Sequence, residues 1–91
     1  NQLAMNIYAL ENHKVVCDNL DTGCQLDLLT AKHYLTIGNQ YTVECTEVNN
    51  DCTYVWLKEI SNRAFNSIFF KDVSIQSEEM DRQHPDYSRY H

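Results

Sequence analysis

The chain has little of what frees or breaks a backbone: two glycines, Gly23 and Gly38, and a single proline, Pro85. So few glycines leave no loop able to wrap a phosphate in backbone amides, which removes the nucleotide-binding motifs. Cations are scarce too, with seven Lys and Arg against thirteen Asp and Glu and a formal net charge of -6. Affinity for DNA or RNA comes largely from cations that displace counterions from phosphates, so a nucleic-acid partner is disfavoured. No run approaches the roughly 20 apolar residues that cross a bilayer, and the first residues lack the basic start and apolar block of a secretory signal. These absences predict a soluble protein that stays in the cytoplasm where it is made and has no membrane partner. Met5-Asn6-Ile7 makes a natural start, so residues 1–4 are read as an addition and carry no functional argument.

No catalytic motif is present, and His13, His33, His84 and His91 include no pair at metal-ligand spacing. All four are read as mainly surface residues, and the chain as a non-enzyme without cofactor. The four cysteines, Cys17, Cys24, Cys45 and Cys52, repeat one gap of six intervening residues. Structural zinc sites draw paired ligands from knuckles of two to four intervening residues, so this spacing is too loose for zinc. Disulfides need an oxidising compartment, so reduced thiols are expected. Cys17 and Cys45 lie in strand-like runs where a thiol behaves as a small buried hydrophobe, whereas Cys24 and Cys52 sit beside turn residues.

With 91 residues and a 43% hydrophobic fraction the chain suits one domain with one core. The β-branched run within His13–Asp18 predicts a strand, Met5–Leu10 a weaker one, and the polar cluster Asp18–Gly23 a loop. Leu26 and Leu29 suit one helical face while Leu28 and Tyr34 spoil it, so Leu26–Leu35 is read as irregular with at most one helical turn. After the turn signal Gly38-Asn39, the residues Tyr41, Val43 and Cys45 alternate with Thr42, Glu44 and Thr46 as a half-buried strand does. On a straight strand Glu44 and Thr46 share one face and Glu47 lies opposite. Asn49-Asn50-Asp51 then separates this strand from Thr53–Leu57, predicting a hairpin. A second polar break at Ser61–Arg63 leads to an aromatic turn at Phe65–Phe70 and a final strand around Val73 and Ile75. From Ser77 the chain turns polar and acidic, which predicts a disordered tail over residues 77–91 after a domain over residues 5–76. The competing reading docks Tyr87 and Tyr90 on the domain or on a partner.

Taken together, Lys14-Val15-Val16-Cys17-Asp18-Asn19, Leu35-Thr36-Ile37-Gly38-Asn39-Gln40-Tyr41-Thr42-Val43 and Ser67-Ile68-Phe69-Phe70 resemble small SH3-like barrel proteins encoded by bacteriophages and prophages. The stretch Leu-Thr-x-Gly-x-x-Tyr-x-Val, which opens the second main strand in that group, stands intact from Leu35 to Val43. The resemblance covers roughly residues 14–75 and implies a mainly β, five-stranded SH3-like barrel. It also implies a phage accessory protein that binds a host protein, blocking or redirecting it, and offers no catalytic residues. The contact candidates are aromatics in or beside loops, Tyr34, Tyr54, Trp56 and Phe65, because Trp and Tyr dominate interface hot spots. Trp56, the single tryptophan, also fits the core. The alternative function is a nucleic-acid-associated or DNA-mimicking barrel acting on a host nuclease or regulator, and an exposed edge strand would let two copies pair.

Overall fold

The computed structural model describes residues 5–73 and 78–90. Its sheet grows from the segments richest in β-branched and aromatic residues: β1 (Lys14–Cys17), β2 (Gln40–Val48), β3 (Thr53–Leu57), β4 (Ile60–Asn66) and β5 (Phe70–Asp72). All pairings are antiparallel, in the spatial order β4-β3-β2-β1-β5, so the fold is mainly β with β4 and β5 at the two ends of the sheet. One long strand, β2, serves both halves: Gln40–Thr42 pair with β1, and Val43 to Val48 pair with β3. Gly38 makes the turn into β2 at φ +91°, a conformation only glycine takes without strain.

Beneath the sheet the core collects Val15, Cys17, Val43, Val55, Leu57, Phe65, Phe69 and Phe70, all buried. Phe69 gets there through a single 3-10 turn, Ser67–Phe69, which the Asn66 side chain caps by accepting the Ile68 N–H at 3.1 Å. The last strand therefore begins at Phe70, earlier than Val73; Ile75 lies outside the described residues.

Three local expectations are corrected. Gln25–Tyr34 forms a ten-residue helix, α1, with Leu28, Ala31 and Leu35 turned to the core, while Leu26 and Leu29 are 77% and 60% exposed. The apolar stripe that the core accepts is thus the opposite one from the stripe the spacing suggests. Asp27 in its first turn and Lys32 and His33 in its last match the helix dipole. Met5–Leu10 makes turns and no strand, although Met5, Tyr8 and Ala9 are buried. Ser61–Arg63 does not separate two elements but bulges within β4: Leu57 pairs Ile60 and Trp56 pairs Ala64, so these three residues have no counterparts on β3, and Asn62 sits at φ +65°. The β3–β4 hairpin turns at Lys58-Glu59.

The acidic tail predicted to be disordered carries α2 (Glu78–Gln83) and α3 (Tyr87–Tyr90), and it packs on the domain. Few apolar groups are needed, because polar ones dock it. The His84 Nε2–H donates to Thr46 Oγ, the Val48 N–H donates to Asp86 Oδ2 at 3.2 Å, and Asn6 Nδ2 donates to Asp81. Tyr8 then meets Tyr87 edge to face at 5.0 Å and His84 at 5.7 Å. His84 is therefore buried, which corrects its reading as a surface residue. So is His13, whose Nε2 lies 2.8 Å from Asp72 Oδ1 in a pair that ties the N-terminal turns to β5. His33 is exposed, His91 lies outside the described residues, and so does the predicted boundary between residues 76 and 77.

Candidate interaction face

Strand β3 sorts its side chains by simple alternation. Thr53, Val55 and Leu57 are buried on the core side, and Tyr54 and Trp56 stand half-buried on the other. What lies beside them is set by a bulge in β2. Val43 pairs with Leu57, but the next partner of β3 is Cys45, opposite Trp56, so Glu44 is an extra residue. One extra residue reverses the phase of every later side chain. Thr46 and Val48 consequently turn inward, and Cys45 and Glu47 turn out beside the aromatics, with Glu47 directly opposite Tyr54. This corrects two expectations: Cys45 is exposed and not a buried hydrophobe, and Glu47 joins the exposed Glu44 outside. From β4, Asn66 faces Tyr54 and Ala64 faces Trp56.

The electrostatics agree with that placement. Partial desolvation of the sulfur against its neighbours, then Glu44 and Glu47, push the thiol of the exposed Cys45 up from its ordinary value, so both carboxylates bear on this face. Tyr54 is pushed up to about 12 by its hydrogen bond with Cys52 and then by the negative charge of Asp27, so it remains a protonated hydroxyl. Asp27 reaches the face from the first turn of α1. Among the described residues no ion pair involves Asp27, Glu44 or Glu47.

The four aromatics nominated from sequence end in two places. Tyr34, at the end of α1 and 39% exposed, holds the Arg63 guanidinium 4.6 Å above its ring and meets Phe65 edge-on at 6.3 Å. Phe65 itself is 2% exposed and is a wall of the core. Between α1 and β4 lies an open cleft of about 280 Å³, with Asp27 and Thr30 on one side and Arg63, Phe65 and Asn66 on the other. Tyr54 and Trp56 occupy the adjoining outer face. The sequence did not single out Asp27, Arg63 or Asn66, and it placed Glu47 on the face opposite Glu44. An acidic residue in a first helical turn was a usable signal for Asp27, but nothing local marks the bulge that exposes Glu47.

Other chemistry is less developed. All four cysteines are free thiols, and desolvation raises Cys17 as well as Cys45, opposite to the depression that activates a nucleophilic thiol. Among the described residues no three His, Cys, Asp or Glu side chains converge on a metal position, and no helix is long and apolar enough to cross a membrane.

Over residues 6–89 the chain matches the family model described as Bacteriophage T4 protein Y07B. The chain belongs to that family. The matched span takes in the whole sheet, α1 and α2, and it establishes a small phage-encoded protein. No curated protein and no solved structure matches the chain.

Proposed function

We propose that this phage protein is an accessory factor that acts inside the infected cell by binding a host protein, blocking or redirecting it, without catalysis and without a cofactor. One observation supports this most: Tyr54 and Trp56 stand half-exposed at the centre of a three-strand sheet face, held there by paired neighbours on both sides. Aromatic residues pre-set on a rigid strand contribute large contact area at little entropic cost, as interface anchors do. Tyr34 with its stacked Arg63 extends the contact toward the cleft. The shared, bulged β2 and the 3-10 turn ahead of β5 support an SH3-like arrangement for the sheet, since bends of this kind are how a small sheet curls on itself.

Affinity capture from bacterial lysate tests the reading. The unaltered protein is expected to retain a specific host protein, and the double variant Tyr54→Ala/Trp56→Ala to lose it; recovery of nucleic acid alone, or equal retention by both, overturns it. A second reading is favoured by the exposed carboxylates Glu44 and Glu47 and the half-buried Asp27, which could imitate a phosphate array and occupy a nuclease or regulator. Duplex DNA would then compete with the protein for the captured partner.

A further inference from the structure

The same face has a charge character that selects the kind of partner, and this inference rests on the protein-binding reading above. Directly opposed residues on neighbouring strands lie roughly 5 Å apart and diagonal ones roughly 7–8 Å, so Glu47 borders Tyr54 and lies within a long side chain's reach of Trp56. Glu44 stands at the bulge one residue before Cys45, which faces Trp56, and Asp27 approaches Tyr54 from α1. The aromatic pair is thus edged by carboxylates on two sides. Four of the seven Lys and Arg are engaged elsewhere: Lys58 with Glu11 at 2.8 Å, Lys71 with Asp18 at 3.5 Å, Lys14 with Thr42 at 2.6 Å and Arg63 over Tyr34.

We propose that the outer face of β2, β3 and β4 receives a cationic segment of the partner protein, whose Arg or Lys side chains lie over Tyr54 and Trp56 and pair with Glu44, Glu47 and Asp27. Cations favour the faces of Trp and Tyr, and nearby carboxylates add to that attraction. The carboxylates are spread along the face and do not converge on a common point among the described residues, which suits several separate cationic groups better than one metal ion. Steering by the net charge of -6 speeds encounter with such a segment.

Trp56 is the single tryptophan, so its fluorescence reports directly from the face. Titration with a hexa-arginine peptide at low salt is expected to change that fluorescence saturably, whereas a hexa-glutamate peptide leaves it unchanged. In the variant Asp27→Asn/Glu44→Gln/Glu47→Gln the hexa-arginine affinity should fall about tenfold, and added salt should weaken binding to the unaltered protein. Circular dichroism of the variant confirms that its fold is kept. No saturable response to hexa-arginine, or equal affinity in the variant, overturns the inference. The two readings fail separately. If lysate capture depends on Tyr54 and Trp56 but not on the three carboxylates, the cationic partner is wrong and protein binding stands. If capture depends on neither set, both fall.

Discussion

Glu44 shows how much one residue decides. As the extra residue of the β2 bulge, it turns Thr46 inward and Cys45 outward, and the inward Thr46 hydroxyl donates to the Ile7 carbonyl at 3.0 Å while accepting from His84. Native-state alkylation read by mass spectrometry should therefore label Cys45 and spare Cys17 until the protein unfolds. With the Cys45 thiol pushed up by partial desolvation and by Glu44 and Glu47, its labelling should be slow at neutral pH, and Glu44→Gln/Glu47→Gln should accelerate it. Labelling of Cys17 ahead of Cys45 would show that the bulge is absent. His84 makes a second residue-scale prediction. Its Nδ1 accepts the Asp86 N–H at 3.0 Å and its Nε2–H is given to Thr46, so the docked ring is neutral, and burial lowers its pKa from the ordinary 6.5. Asp86 opposes that shift without cancelling it. Because the folded state disfavours the proton, the docking contribution is complete above the unfolded value of 6.5 and is lost as pH falls from there through the folded pKa. Protection factors of the Asp86 and Tyr87 amides, taken against the intrinsic exchange rate at each pH, should fall on acidification across that window, and His84→Ala should cost about 1–3 kcal/mol. An NMR titration that places His84 above 6.5 would refute the assignment.

At the scale of elements, α1 is the sharpest test of which contacts matter. Leu26 and Leu29 face solvent and Leu28 packs against the core, so Leu26→Asp or Leu29→Asp should change stability by no more than about 0.5 kcal/mol. Leu28→Asp places a carboxylate against the core and should cost several times as much, on the order of 2–4 kcal/mol. Urea midpoints of the three variants check the ranking; equal costs would mean the helix is rotated. The strands were the most legible elements. Val15-Val16, the alternation of Tyr41 and Val43, the Gly38 turn and the apolar run Thr53–Leu57 each carry a local signal, and each lies where that signal puts it. The rotation of α1 was not legible, because a ten-residue helix with apolar residues on two sides offers the core a choice, and only the surface it meets makes it. The bulge in β4 left a trace, the polar Ser61–Arg63, but a polar triplet reads the same whether it ends a strand or bulges within one.

For the whole molecule, the C-terminal helices are part of the folded unit. Asn6 contributes its N–H to the Asp72 carboxylate at 3.1 Å and its side chain to Asp81, so one residue joins the β5 end of the sheet to α2. Urea unfolding followed by Trp56 fluorescence and by far-ultraviolet circular dichroism should accordingly give one coincident transition. A helical signal lost well before the Trp56 transition would show the C-terminal segment to be a separate, weaker unit. By itself the amino-acid sequence determined the mainly β class, the positions of β1, β2 and β3, the hairpin joining the last two, and an acidic surface, because all of these follow from composition and from neighbours one or two residues apart. The outward phase of Cys45 and Glu47, the inward face of α1, and the docking of His84, Asp86 and Tyr87 were decided only by the tertiary structure. Each depends on a contact between residues far apart in the chain, such as Thr46 with His84, and no local pattern encodes the surface an element will meet.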